Sequence, residues 1–338
     1  MKRLIKITVA LIAFGAMSTQ AQELRSDHPD RYTVQKGDTL WDISGMFLRD
    51  PWLWPEIWHA NQQVANPHLI FPGDVLRLIY VDGQPRIVLD RGTVRLSPTI
   101  RSIRHEDAIS AIPLDDVKEF FTKNRVVSQD ELDAAPYMIA GPETRILVAT
   151  GDRLYARGEF PAETQLYQVY KPGDEYIDPE TENVLGVRAE ATGLARFQST
   201  KGEIGTMRLE ESYKEVSIGD VFLPLAQDSF DSTLFPSIPG RAVDGSIIAV
   251  EGGVNNAGQF DVVAINLGNT DGMKVGDLLG ILIKGETVRD RIANDKVELP
   301  DEQAGLLMVF QVFDDMAFGL VLESERALQV GYKVTSQF

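Results

Sequence analysis

Apolar and polar positions alternate, cluster and space out in turn along this chain, and each change of rhythm marks an element. Lys2, Arg3 and Lys6 precede a largely apolar run, Ile7 to Met17, which ends at the small residues Ser18-Thr19-Gln20-Ala21. That order predicts a secretory signal peptide, residues 1–21, cleaved after Ala21. Arg31 to Val34 alternates as a short strand and stops at the turn Lys36-Gly37-Asp38. Thr39 is placed to cap a helix, with Asp42 three positions on, and Leu40, Ile43, Ser44 and Phe47 then share one face. Asp50-Pro51 interrupts that helix. A second helix is predicted from Pro55, carrying Ile57, Trp58 and Asn61, and the turn Pro72-Gly73-Asp74 leads into a strand from Val75 to Leu78.

Beyond residue 80 the rhythm loosens. Arg86, Arg91, Arg95, Arg101 and Arg104 sit among β-branched residues and read as the solvated face of a strand pair. Two short helices are predicted in the next thirty or so positions, the second opened by the pair Ser128 and Glu131. From about Thr144 the pattern is that of strands punctuated by Gly-Asp turns. Those turns lack the lysine and helix start of a phosphate loop, so hairpin chemistry explains them better.

This β region also repeats. Leu166, Gly193, Glu211 and Gly219 have counterparts at Leu278, Gly305, Glu323 and Gly331, every pair 112 positions apart. A constant register over that span predicts two related modules, 143–226 and 256–338, joined by a linker at 227–255. The predicted fold class is α+β. A βααβ domain at 30–80 comes first, then a connector at 81–142 with two short helices, then two barrel- or sandwich-like modules.

Composition narrows the function. All four tryptophans, Trp41, Trp52, Trp54 and Trp58, fall within 18 positions of a 338-residue chain. In so small a domain large aromatics are needed to close the core. Trp41 and Trp58 read as core, whereas Trp52 and Trp54 stay open between packing and contact with a sugar. Removing residues 1–21 would take the formal charge from −17 to −20. Such a chain is repelled by nucleic acid and by anionic lipid, so neither is an expected partner. With no cysteine there is no thiol nucleophile, no disulfide and no thiol-linked lipid anchor. His28, His59, His68 and His105 form no zinc motif and all precede the β modules. Two Glu-Ser pairs, at 211–212 and 323–324, follow strand-like runs at equivalent repeat positions and read as structural. The expectation is a non-enzyme with no metal and no cofactor.

The stretches YTVQKGDTLWDIS, IWHAN and NPHLIFPGDVLRL together resemble a LysM domain over residues 31–79. Two features depart from that family: the late Leu-to-Gly spacing is one residue looser, and LRDPWLWPEIW is longer and more aromatic. The resemblance implies binding of N-acetylglucosamine-containing glycan, in bacteria usually peptidoglycan, through a groove between two loops. By position it implicates Gly37, Asp38, Thr39 and Leu40 on one wall and Asn66, Pro67, His68, Leu69 and Ile70 on the other, with Trp54 as an added stacking candidate. The order of segments, with TVRLSP, IPLDDV, ELDAAPY and GDRLYARG after the first domain, is similar to the type IV pilus secretin-associated proteins. The signal peptide, with no later apolar run long enough to span a membrane, predicts a periplasmic protein without an integral membrane segment, and the likeness implies that it ties an outer-membrane secretin ring to the wall. The competing expectation is a non-catalytic adaptor of a peptidoglycan hydrolase.

Overall fold

The computed structural model describes residues 24–58, 70–90, 124–142, 147–161, 164–225, 234–252 and 256–337. The chain divides into two compact units, residues 1–109 and 110–338. The predicted signal peptide, the first helix of the connector, most of the arginine run and residues 59–69 lie outside the described residues. Among the described residues no helix is long and apolar enough to cross a membrane.

In the first unit, strand β1 (Arg31–Thr33) leads to helix α1 (Leu40–Phe47), a 3-10 turn at Pro51–Leu53 and helix α2 (Trp54–Ile57). Strands β2 (Val75–Val81) and β3 (Gln84–Leu89) follow, and the sheet order is β1-β2-β3, antiparallel throughout. β3 adds a strand to the predicted βααβ plan. It begins after an Asp82-Gly83 turn in which both residues have positive φ, 52° and 80°, as a two-residue hairpin requires. Leu40, Trp41, Ile43, Phe47, Trp54, Ile57, Leu76 and Ile87 are buried in this unit.

The second unit is built on one plan used twice. In chain order its first half holds β4 (Asn124–Val127), helix α3 (Gln129–Ala134), β5 (Tyr137–Ala140), β6 (Leu147–Val148), β7 (Arg153–Arg157), β8 (Leu166–Ile177), β9 (Val184–Lys201), β10 (Ile204–Ser212), β11 (Val216–Ser217) and β12 (Val221–Pro224). Ser128 caps α3 by accepting from the Glu131 amide at 3.1 Å. Pairing runs β5-β7-β10-β9-β8-β12 and returns to β5, a six-stranded ring, with β4 attached outside β9 and β6 paired with β11. The second half holds β13 (Asp244–Val250), β14 (Asn256–Ala257), β15 (Val262–Ile265), β16 (Leu278–Ile283), β17 (Thr287–Arg289), β18 (Lys296–Glu298), β19 (Glu302–Val312), β20 (Ala317–Ser324), β21 (Leu328–Gln329) and β22 (Lys333–Thr335). Its closed barrel runs β13-β15-β20-β19-β16-β22, and β14 pairs with β21.

Each strand of one ring has its counterpart in the other, and so do four of the bulges. The residues skipped in pairing at these four are Ile139, Thr192, Gln198 and Glu210 in the first ring and Ile248, Ala304, Phe310 and Leu322 in the second. The last three pairs keep the 112-residue offset, while the first stands at 109. A three-residue difference therefore falls between β7 and β8 on one side and β15 and β16 on the other. Bulges bend a strand and set its local twist, so four shared bulges mean two barrels curved in the same way.

The segment read as linker, 227–255, contains a barrel strand, β13. Likewise β5 belongs to the first ring, and β4 to its sheet, although both precede residue 143. The offset between β5 and β13 is 109, so the 112-residue register did not extend to these strands.

The hairpin of β8 and β9 reaches beyond its own ring to the second barrel. The Tyr176 hydroxyl donates to Glu251 Oε1 at 2.6 Å, and the Tyr176 ring meets Phe318 edge-on at 5.8 Å. Arg188 lies 3.4 Å from the Glu251 carboxylate, and Asn266 Nδ2 donates to Asp178 at 3.3 Å. Burial and the Glu251 charge push the Tyr176 phenol well above its ordinary range, so it stays a donor.

Candidate functional site

The first wall of the expected glycan groove is a turn held by its own aspartate. Gly37 takes φ of 100°, the left-handed geometry of the third residue of a type II turn. The Asp38 carboxylate accepts from the Gln35 amide at 2.7 Å and from the Tyr32 hydroxyl at 2.8 Å. The phenol of Tyr32 is pushed up to about 12, first by burial and then by its bond to Asp38.

The Gly-Asp pairs at 73–74, 151–152, 219–220 and 276–277 repeat this construction. In each, glycine has φ between 91° and 99° and the aspartate accepts from the amide three residues back. The predicted reading of these pairs as turns thus has a specific geometry, used in both units.

Thr39 is absorbed by the helix start. Its hydroxyl accepts from the Asp42 amide at 3.1 Å and donates to the Asp42 carboxylate at 2.7 Å, which in turn accepts from the Thr39 amide at 3.3 Å. Thr39 and Leu40 are both buried, as is Ile70 on the opposite loop. The side chains of these three residues therefore hold the loops in place and offer no surface to a sugar, a correction to their expected place in the groove walls. Asn66, Pro67, His68 and Leu69 lie outside the described residues. What the described part presents is Gly37 with exposed Lys36, and the neighbouring exposed pair Pro72-Gly73. The two turns are laced together: Val34 donates to the Asp74 carbonyl at 2.9 Å and Gly73 donates to the Val34 carbonyl at 2.8 Å. Pro72 and Gly73 were legible as a turn but not as part of this rim.

The tryptophans divide differently from expectation. Trp41 is buried, but its fully buried companion is Trp54, at 0% exposure, and not Trp58, which is half-buried. The 3-10 turn at Pro51–Leu53 moves the start of α2 back to Trp54 and so rotates that ring inward. Trp54 is thereby removed as a stacking surface. Trp52 is half-buried and tilted against Trp41, ring centroids 6.5 Å apart. Trp58 is held through a backbone bridge to Ile87 of β3.

The Glu-Ser pairs end β10 and β20. Ser212 donates to the Lys214 carbonyl and Ser324 to the Arg326 carbonyl, the same local turn in both barrels.

The geometry yields a prediction for Asp38. Replacing it by alanine removes the acceptor of two hydrogen bonds and costs the first unit about 2 kcal/mol. Its thermal transition, followed by tryptophan fluorescence, should fall. Asp38→Asn, which keeps an acceptor oxygen, should lose less. Equal stability of all three proteins would mean that the carboxylate does not hold this turn.

A protein of Bacillus subtilis (strain 168), the uncharacterized protein YqbP, is 42% identical over 60 residues. That match covers 15% of this chain and 27% of YqbP. Residues 32–78 match the family model for the LysM domain. A strand, a capped helix, a second helix and a returning strand within those bounds agree with it, and the match points to binding of peptidoglycan or a related carbohydrate. The chain therefore carries a LysM domain at residues 32–78.

Proposed function

We propose that this is a non-catalytic, periplasmic peptidoglycan-binding protein that anchors the type IV pilus secretin ring to the cell wall. The observation that carries the reading is the pairing of one LysM domain with a duplicated barrel unit. Glycan binds at the rim formed by Gly37, Asp38, Pro72 and Gly73 together with Asn66, Pro67, His68 and Leu69. Backbone groups and small side chains make those contacts, which suits a chain of net charge −17. One uncharged groove binds modestly, but copies arrayed on a ring gain by effective concentration.

The second unit supplies the partner-binding part. Of two segments that resemble secretin-associated proteins, ELDAAPY runs from helix α3 to the first residue of β5 and GDRLYARG spans β7, and these strands are adjacent, with Tyr137 paired to Arg157 and Met138 to Ala156. Their adjacency supports reading them as parts of one surface-bearing module.

Two measurements test the proposal. The chain from Gln22 onward should sediment with purified peptidoglycan, and a variant lacking residues 30–80 should not. The same chain used as bait in envelope extract should retain a secretin. A peptidoglycan hydrolase retained in place of a secretin would support the adaptor reading, and release of soluble muropeptides from wall would replace both with catalysis.

A further inference from the structure

The duplication identifies an arm without a partner. At the 112-residue offset, the cross-strand pair Ile177 and Val184 near the tip of the first hairpin corresponds to Arg289 and Lys296 in β17 and β18. The first arm is docked on the second barrel through Tyr176. In its counterpart, residues 284–301, every residue of β17 and β18 is exposed, and among the described residues no third strand joins them. Val288, Val297 and Leu299 are 37%, 43% and 44% exposed, and Ile292 at the turn is 98% exposed.

We propose that the outer edge of β18 pairs with the same edge in a second copy of this chain, forming a two-fold dimer centred on Val297. Hydrogen bonding within the arm fixes which backbone groups are free. Asp290 donates to the Asp295 carbonyl at 2.9 Å, and Leu299 donates to the Glu286 carbonyl at 3.0 Å. Alternation along an antiparallel ladder then turns the backbone of Val297 toward β17 and that of Lys296 and Glu298 outward. Antiparallel pairing about Val297 sets Lys296 opposite Glu298 of the second copy, and the reverse, so both outward residues meet an opposite charge.

The side chains agree with the backbone. Lys296 and Glu298 share one face of the new sheet. On the other, Val288 and Val297 of the two copies form a continuous apolar row across four strands. An exposed strand edge with apolar side chains is a template for such pairing, and natural proteins blunt edges that must stay free. Self-complementary charges in this register do the opposite. The dimer carries two LysM domains, which raises avidity for any polymeric glycan whatever partner the barrels bind.

The test is sedimentation equilibrium on the chain from Gln22 onward, which holds both folded units. Wild type should show a monomer–dimer equilibrium. Lys296→Glu and Glu298→Lys each turn two attractive pairs into repulsive ones, so each should weaken the dimer about tenfold. An equimolar mixture of the two variants restores opposite charges at both positions and should dimerise like wild type. Far-UV circular dichroism of the singles should match wild type, since both sites are exposed. A wild type that stays monomeric, a dimer indifferent to either substitution, or singles that do not recover on mixing would each overturn the proposal.

Discussion

Trp54→Ala should unfold the LysM domain and leave the barrels folded. Trp54 is fully buried, as are Leu40, Ile43, Phe47 and Ile57 in the same unit, and it is the largest completely buried side chain among the described residues. Removing so large a ring from a core costs about 3–5 kcal/mol in lost contacts and cavity. A domain of roughly fifty residues has only about 2.5–7.5 kcal/mol of total stability to lose. The measurement is unusually clean because all four tryptophans lie in this domain. Fluorescence therefore follows its unfolding alone, while far-UV circular dichroism is dominated by the strands of the second unit.

The variant should show a red-shifted emission at 25 °C with the barrel transition unmoved. Trp52→Ala is the contrast: a half-buried ring leaning on Trp41 should cost about 1 kcal/mol and keep the domain folded. Only then is a loss of wall binding attributable to contact with sugar. A folded, stable Trp54→Ala protein would mean that the core closes without this ring.

The interchange of Trp54 and Trp58 shows where reading the sequence stopped short. Leu40, Ile43, Ser44 and Phe47 were legible as one helical face because Thr39 and Asp42 fix where α1 starts. No such marker fixes α2. Asp50-Pro51 was read as a break and Pro55 as the new start, but Pro51 opens a 3-10 turn that runs straight into a helix at Trp54. A shift of one residue rotates a helix by about 100°, enough to exchange an inward tryptophan for an outward one. The groove residues were found by position in a motif, and three of them, Thr39, Leu40 and Ile70, carry buried side chains. Those side chains specify the turn and helix start, so the sequence pattern is strongest where it specifies shape. The exposed atoms that a glycan would meet belong to backbone and leave little trace in residue identity.

The repeat was legible for the opposite reason: the residues that align are those a barrel cannot replace. Gly193 and Gly305 both lie beside the carbonyl of a glutamate on the next strand. A Cβ on Gly193 would sit 2.6 Å from the Glu211 carbonyl oxygen, and one on Gly305 would sit 2.4 Å from that of Glu323. These are the same glycines and glutamates that mark the 112-residue offset, beside the bulges at Glu210 and Leu322. The strands β5 and β13 carry no such contact in the register, and their equivalence was missed.

This closeness supplies the second large effect. Gly305→Ala must push β19 and β20 apart, with backbone on both sides and no flexible side chain to yield, at a cost of about 3 kcal/mol. For a unit of some two hundred residues that corresponds to a fall of roughly 10 °C in the barrel transition. Gly193→Ala should do the same in the first ring, and the LysM fluorescence transition should not move in either protein. Gly240→Ala is the control, because its Cβ would meet nothing within 4 Å and its φ needs no glycine. If Gly305→Ala melted with the control, the β19–β20 spacing would have to be adjustable. Shared bulges and shared glycines would then be marks of ancestry alone. If both glycine variants fall together, the two barrels are held to one curvature by the same contact, and the register persists because closure of each ring requires it.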